Sequence, residues 1–131
     1  MLATPDRKYF AVYTEDEVFV GIVGAENIDE TFRKLEMKKF IGARGYQGKG
    51  LGKAATFLFL YYAFKILNFN KVYIHSLDTN IKNINLNSKF GFELEGILYE
   101  EAHVGGMYKD VLRMGLLHNH WEAIFGKTQS K

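Results

Sequence analysis

The chain has 131 residues and a mass of 15.1 kDa, and 47% of its residues are hydrophobic, which predicts a single domain with a real apolar core. Its 17 lysines and arginines against 15 aspartates and glutamates give a formal net charge of +2, which argues against general binding of nucleic acid or of a membrane surface. The absence of cysteine excludes a disulfide framework, a thiolate metal site and a cysteine nucleophile, and it favours a reducing, cytoplasmic compartment.

The N-terminus does not resemble an export signal, because its first ten residues, MLATPDRKYF, contain no uninterrupted apolar run. The most apolar stretch, residues 54–67, includes Thr56 and Lys65 and is shorter than the roughly 20 residues of a bilayer span. We therefore expect no export and no membrane partner, and we interpret this stretch as a buried helix.

The N-terminal third is rich in residues that favour strands. Residues 9–14 and 18–24 flank an acidic turn at residues 15–17, which predicts a β-hairpin. A third extended run covers about residues 35–42.

A glycine-rich loop then leads into a helix. Residues 41–53, IGARGYQGKGLGK, contain five glycines, and residues 53–68 have no helix breaker before Asn68. This helix is apolar nearly all round, so we expect it to lie between a sheet and another layer. Residues 71–77 follow as a strand, which completes a strand, glycine loop, helix and strand unit with a right-handed crossover.

The C-terminal half predicts a short helix and a long hairpin. Residues 80–89 form the helix, which ends at Gly91, and residues 92–103 and 107–117 form the hairpin around Gly105 and Gly106. Residues 118–131 are a tail that starts with Trp121 and Phe125 at helical spacing. The predicted fold class is α/β (α+β), with a mixed, mostly antiparallel central sheet that includes the glycine-loop βαβ unit.

The segment QGKGLGK, residues 47–53, has the composition of an anion site. Alternating glycines let successive backbone N–H groups point into one concavity, and the following helix N-terminus favours a phosphate or pyrophosphate. Lys49 and Lys53 add charge at its rim. A tight connection with no ligand is the alternative. The segment is neither a Walker loop, which needs a Lys-Ser or Lys-Thr pair, nor a convincing dinucleotide fingerprint.

Two spaced motifs resemble the GNAT superfamily of acyl-CoA-dependent N-acetyltransferases, in the branch of ribosomal-protein, diamine and amino-sugar acetyltransferases. The resemblance covers residues 35–117 of the single domain 1–131. FIGARGYQGKGLGKAA matches the pyrophosphate loop of the family through Gln47, Gly50 and Gly52. DTNIKNINLNSKFGFELEG matches the second motif of the family through Asn80, Ile84, Leu86, Lys89, Gly91 and Phe92. MYKDVLRMGLL matches its closing strand through Asp110 and Met114.

The chain departs from the family pattern in two respects. The small residue and the frequent tyrosine of the second motif fall on Asn83 and Asn87. Family members usually carry a first strand and two helices before the hairpin, so the chain is expected to lack the segment that often builds the acceptor pocket.

The resemblance implies acetyl-CoA or coenzyme A as co-substrate, with the pantetheine arm between the strand that ends at residues 40–42 and the strand that ends near Leu77. A backbone N–H of Phe40 or Ile41 would face the thioester oxygen and stabilise the oxyanion. The residues implied in cofactor binding are Phe40, Ile41, Gly42, Gln47, Gly48, Lys49, Gly50, Leu51, Gly52, Lys53, Asn80, Asn87 and Lys89.

An amine with a pKa near 10 must lose a proton before it attacks, so a carboxylate or an imidazole is expected nearby. Glu36 is the first candidate, and Glu26 and His75 are alternatives, although Glu36 could instead pair with Lys38. At the leaving thiolate, Asn87 can donate a hydrogen bond but no proton. Ser88, Tyr99 and Tyr108 are possible substitutes.

The leading hypothesis is an N-acetyltransferase that acts on a small primary amine, with an amino sugar favoured slightly over a polyamine or a protein N-terminus. The alternatives are a non-catalytic module that binds coenzyme A or a partner protein, and a nucleotide-phosphate module. Exposed strand edges and the apolar region around Trp121 suggest a homodimer. His118 and His120 have no third ligand nearby in sequence, so no metal is expected.

Overall fold

The computed structural model describes residues 3–4, 6–42 and 50–126. The chain divides into two compact units, Met1–Asn70 and Lys71–Lys131. Within the described ranges, no helix combines the length and the apolar character needed to cross a bilayer.

The first unit contains four antiparallel strands in chain order. They are β1 (Ala3–Thr4), β2 (Arg7–Tyr13), β3 (Phe19–Asp29) and β4 (Lys34–Ile41). The predicted hairpin is confirmed as β2 and β3, and the Thr14 hydroxyl accepts a hydrogen bond from the Val18 N–H at 3.1 Å across its turn. β3 is longer than the sequence predicted, because it continues through an irregularity between Glu26 and Asp29.

Strand alternation gives this sheet two different faces. We call the face that contacts the following helix the helix-side face, and it carries Val23, Ala25, Met37 and Lys39. The opposite face carries Glu26, Glu36, Lys38 and Phe40 on the same two strands, with Tyr9 on β2. The buried apolar residues of the helix-side face form the core of this unit under the helix.

The helix α1 (Leu51–Tyr61) continues without a break into a π-helical turn, Tyr62–Ile66. Its buried face consists of Ala55, Thr56, Phe59, Leu60, Ala63 and Phe64. The expectation that a second layer covers the helix is wrong at Leu58 and Ile66, which are 67% and 62% exposed. The helix also begins two residues earlier than expected, so Gly52 lies inside its first turn.

The second unit contains β5 (Lys71–Leu77), α2 (Ile81–Lys89), β6 (Glu93–Val104) and β7 (Met107–Leu117). β7 pairs antiparallel with both β5 and β6, which confirms the predicted long hairpin. The predicted short helix is confirmed as well. Asn80 caps its N-terminus by accepting a hydrogen bond from the Asn83 N–H, and Gly91 adopts a positive φ of 104° after its end.

The chain then forms the short helix α3 (His118–Trp121) and a π-helical turn, Glu122–Gly126. Trp121 has no exposed surface, and its ring lies 5.7 Å from the ring of Phe125 between centroids. The suggestion that Trp121 offers an apolar dimer surface is therefore wrong, because the side chain belongs to the core. Residues 127–131 lie outside the described residues.

Candidate functional site

The N-terminus of α1 has the geometry of an anion-binding helix end. Gly50 caps it in the left-handed conformation, with φ of 81° and ψ of 0°, and supplies no side-chain cap. The first intrahelical hydrogen bond joins the Ala54 N–H to the Gly50 carbonyl at 3.0 Å, so the N–H groups of Leu51, Gly52 and Lys53 point out of the helix end. The remaining predicted loop residues, Gln47, Gly48 and Lys49, lie outside the described residues.

Lys39 is a residue at this helix end that the sequence reasoning missed. From β4 its Nζ donates to Thr56 Oγ1 at 2.6 Å and to the Gly52 carbonyl at 3.4 Å. Burial lowers the pKa of Lys39 to about 8. A signal did exist: in the consecutive pair Lys38 and Lys39, strand alternation must send one side chain towards the helix.

Glu36 and Glu26 lie directly opposite each other in the pairing of β4 with β3, so the structure brings these two candidate bases together on the opposite face. Glu36 is only 4% exposed. Its Oε1 accepts a hydrogen bond from Asn27 Nδ2 at 2.9 Å, and its Oε2 lies 3.2 Å from Lys38 Nζ. The ion pair with Lys38, left open as an alternative role for Glu36, is thus present.

Tyr9 extends this carboxylate pair, because its hydroxyl donates a hydrogen bond to Glu26. The hydrogen bond and burial raise the pKa of the Tyr9 phenol, so the phenol keeps its proton at neutral pH. A polar cluster of Tyr9, Glu26, Asn27, Glu36 and Lys38 therefore surrounds two carboxylates.

The end of β4 distinguishes the two candidate oxyanion donors. The Gly42 N–H donates to the Val20 carbonyl at 3.0 Å, and Phe40 pairs with Ile22 in the same ladder. Because N–H groups alternate along an antiparallel strand, the Phe40 N–H also points towards β3, and the Ile41 N–H points to the opposite edge of β4. The two candidate donors thus point to different edges of β4.

His75 lies on β5 of the second unit and is half-buried. Its ring meets Tyr73 edge to face at 5.8 Å, and it pairs in register with Arg113 of β7. The guanidinium of Arg113 stacks on Tyr73 at 3.9 Å from the ring centroid. These contacts give His75 packing neighbours on its own sheet.

Asn87 is 2% exposed in α2, and its Oδ1 has no hydrogen-bond partner among the described residues. A buried acceptor without a donor is costly, so Asn87 Oδ1 is open to a donor that the described residues do not supply. Asn80, by contrast, already serves as the helix cap. The other suggested residues of this unit are exposed: Ser88, Lys89, Tyr99 and Tyr108.

Among the residues that the structure describes, no group of three or more acidic or histidine side chains could hold a metal ion. His118 Nε2 lies 3.3 Å from Glu122 Oε1, which is an (i, i+4) contact within the C-terminal helical segment.

These features fit a ligand with the chemistry of acetyl-CoA. The helix end and Lys39 offer N–H groups and positive charge to a pyrophosphate. The carboxylate pair of the opposite face can hold a cation and accept a proton.

Comparison with known proteins also indicates an acetyltransferase domain. The acetyltransferase (GNAT) domain family matches residues 2–93. A spermidine N(1)-acetyltransferase of Vibrio cholerae is 35% identical over 115 residues, which cover 88% of this chain and 66% of the relative. A putative ribosomal N-acetyltransferase of Bacillus subtilis is 33% identical over 107 residues, covering 82% of this chain and 58% of the relative.

Solved structures match as well. The spermidine/spermine N-acetyltransferase SpeG from Vibrio cholerae, in a complex with manganese ions, superimposes with a TM-score of 0.84 at 31% identity, covering 97% of this chain and 71% of that chain. The chain spans two thirds or less of the length of the curated relatives that it matches. The mixed, mostly antiparallel α/β fold predicted from the sequence is confirmed.

Proposed function

Because this chain belongs to the GNAT family of acetyltransferase domains, we propose that it transfers an acetyl group from acetyl-CoA to a primary amine. The observation that carries the proposal is the N-terminus of α1, where Gly50 of the family motif caps the helix and the carbonyl of Gly52 lies 3.4 Å from the half-buried ammonium group of Lys39. When bound, acetyl-CoA would supply the thioester carbonyl that the amine attacks.

In this proposal the first turn of α1 binds the pyrophosphate through the N–H groups of Leu51, Gly52 and Lys53. Gln47, Gly48 and Lys49 complete the loop, with Gly42 at the end of β4. A backbone N–H of Phe40 or Ile41 at the end of β4 stabilises the oxyanion, a contribution of about 2.7 to 4 kcal/mol for such donors in other enzymes. The chain needs no nucleophile of its own, since the amine attacks directly.

Glu36 is the proposed proton acceptor for the amine. Its carboxylate is buried beside Lys38, so an incoming ammonium group can replace the lysine as the cationic partner and then give up its proton, directly or through water. Glu26 lies opposite and adds negative charge that attracts the cation. His75 on β5 stays an alternative base.

Asn87 is the proposed partner of the cofactor in α2, at the position where the family often has tyrosine. Its amide can exchange hydrogen bonds with pantetheine but cannot protonate the leaving thiolate. Coenzyme A has an ordinary thiol pKa near 8.5, so it can leave without a protein acid. Asn80 and Lys89 stay proposed contacts at the two ends of this helix.

A polyamine is the acceptor that we now favour, in place of the amino sugar that the sequence suggested slightly. Ile22 and Phe40 pair on the same face as the two carboxylates, four residues away along each strand, and are 38% and 66% exposed. A face that carries both carboxylates and exposed apolar side chains suits a molecule of ammonium groups joined by methylene chains. The Vibrio cholerae relative, a spermidine acetyltransferase, supports the same choice.

Binding of acetyl-CoA, measured by isothermal titration, tests the first half of the proposal. Gly50→Glu should weaken binding about 100-fold, because it adds a negative charge at the pyrophosphate site and a side chain at positive φ. Gly106→Glu is the matched control: both glycines have φ near 80° and no heavy atom within 4 Å of an added Cβ, and Gly106 lies in the β6–β7 turn. No binding by the unmodified protein, or equal loss in both variants, would refute the proposal.

Thiol release tests the second half, with spermidine, spermine, an amino sugar and a short peptide as acceptors. We expect the fastest release with a polyamine. The alternative of a coenzyme A-binding module without turnover is motivated by Asn87, and it predicts binding of acetyl-CoA with no thiol release on any amine. A nucleotide-phosphate module predicts that ATP displaces acetyl-CoA.

We also infer a cytoplasmic protein without a nucleic-acid or membrane partner, from the near-neutral charge and the absence of cysteine. A homodimer stays a proposal that depends on exposed strand edges and on the apolar tail around Trp121, where Ile124 is 41% exposed.

A further inference from the structure

Lys39 is a lysine in an unusual position. Its Nζ lies 3.4 Å from the carbonyl oxygen of Gly52, the second residue of α1, and 3.8 Å from the place that a Cβ on Gly52 would occupy. The Thr56 hydroxyl accepts the lysine hydrogen bond at 2.6 Å and donates its own to the Gly52 carbonyl at 2.8 Å. The ammonium group is therefore fixed beside the first turn of the helix.

This placement is electrostatically unfavourable for the free protein. The N-terminus of a helix carries partial positive charge, so a second cation there is repelled. An ammonium group that is largely removed from water normally has a carboxylate partner, yet in the described part of the chain no carboxylate forms an ion pair with the half-buried Lys39, whose Nζ bonds to Thr56 and to the Gly52 carbonyl. The surroundings lack a negative charge that an anionic ligand would supply.

Among the described residues of its unit, the groups around Lys39 do not provide that charge. On the helix-side face its neighbours are Val23 across β3 and Met37 and Ile41 along β4. In the first turn of α1 the titratable side chain is that of Lys53, which is exposed and of the same sign. Burial alone is responsible for the lowered pKa of Lys39.

We propose that Lys39 is the counter-cation of the acetyl-CoA pyrophosphate, acting through the first turn of α1, and that cofactor binding is coupled to the protonation of this lysine. The inference rests on the proposed function, because it needs the pyrophosphate at this helix end. It assigns to Lys39 a role that neither the glycine motif nor the family match contains.

The coupling has a definite sign. A bound dianion favours the protonated amine and raises its pKa from about 8 towards the ordinary lysine value. Below pH 8 Lys39 is protonated in both the free and the bound protein, so binding takes up only a small fraction of a proton. Above pH 8 the free protein has lost this proton and must regain it, so affinity falls as pH rises.

The experiment measures acetyl-CoA binding calorimetrically in buffers of different ionisation enthalpy. We expect uptake of about 0.1 proton per site at about pH 7 and about 0.9 at about pH 9, with affinity about tenfold weaker at the higher pH. Acetyl-CoA is the probe because it has no free thiol, and its phosphate monoester titrates near pH 6.

Lys39→Met should bind acetyl-CoA about tenfold more weakly than the unmodified protein at about pH 7, with neither the proton uptake nor the pH dependence. Thr56 keeps its bond to Gly52 in this variant, so no polar group is orphaned. Lys38→Met is the matched control: it removes the same charge one residue away, on the opposite face, and should leave the proton uptake unchanged.

The outcomes separate the inference from the proposed function. If the unmodified protein binds acetyl-CoA without extra proton uptake at about pH 9, or if Lys39→Met keeps that uptake, Lys39 is not the coupled group, and the proposed function stands. If the unmodified protein does not bind acetyl-CoA at all, the proposed function itself fails and the inference with it.

Discussion

The side chains of β4 make different contacts according to the face of the sheet on which they lie. Glu36 and Lys38 point to the opposite face and form an ion pair at 3.2 Å. Lys39, one position later, contacts α1. Successive side chains of a strand alternate between its two faces. Glu36 and Lys38 therefore lie in the proposed acceptor site, whereas Lys39 lies in the proposed cofactor site.

Glu36→Gln should lower kcat about 100-fold or more while acetyl-CoA binding stays close to normal, because the amide keeps the shape of the side chain but accepts no proton. The hydrogen bond from Asn27 can be retained by the new amide oxygen. Glu26→Gln is the matched comparison and should have a smaller effect on kcat. Steady-state kinetics with spermidine measures both, and an unchanged kcat in Glu36→Gln would assign the base elsewhere.

Lys39 should also make folding stability depend on pH. Its pKa is about 8 in the folded protein against an ordinary value of 10.5, so the unfolded chain binds more protons between these values. Below about pH 8 the positive charge of Lys39 therefore lowers the free energy of unfolding by its full amount, and this penalty disappears as pH rises towards 10.5. Relative to Lys39→Met, the unmodified protein should gain about 2 kcal/mol of unfolding free energy across this range, after allowance for partial exposure. Urea unfolding of both proteins measures the difference, and a constant difference would contradict it.

Among the elements, α1 and α2 begin in different ways. α1 starts at Gly50, which leaves its helix end without a side-chain cap, whereas α2 starts at Asn80, whose side chain occupies the Asn83 N–H. A capped helix end has one donor fewer for a ligand. The proposed anion site is accordingly at α1.

Asn80→Ala should destabilise the protein by about 1 kcal/mol, because it removes this cap. Asn80→Asp keeps an accepting oxygen and should restore most of the stability. Denaturant unfolding gives both values. If Asn80→Asp is stable but binds acetyl-CoA much more weakly, Asn80 is a cofactor contact as well as a cap.

At the scale of the whole molecule, the tail contributes to the core. Trp121, the single tryptophan of the chain, is fully buried, and Phe125 packs against both Trp121 and Phe90. The sequence showed the helical spacing of the two aromatic residues. It did not show that the spacing serves internal packing, because a helix buries an apolar stripe equally well against its own chain or against another.

Trp121 fluorescence should therefore be blue-shifted, resistant to quenching by iodide, and independent of protein concentration. Replacing Trp121 by alanine should cost about 3 to 5 kcal/mol of unfolding free energy, as expected for a buried tryptophan. Emission that shifts on dilution would instead place Trp121 at an interface between subunits.

The order of strands and helices could be predicted, because each signal is local. β-rich runs around an acidic turn gave β2 and β3, and glycines separated β6 from β7. The start of α1 was misplaced by two residues, since glycines disfavour a helix interior but are tolerated in its first turn. The extension of β3 to Asp29 was missed because it passes through an irregularity in the pairing.

The sequence by itself determined the family and the fold class, and it supplied the proposed pyrophosphate loop, because these depend on residue types at fixed spacing along the chain. Only the tertiary structure placed Glu36 opposite Glu26, brought Lys39 against the first turn of α1 and buried Trp121. These facts depend on register, on the face of a strand and on contacts between residues distant in sequence. Such contacts set burial and local charge, and therefore decide which of several similar side chains can bind an anion or accept a proton.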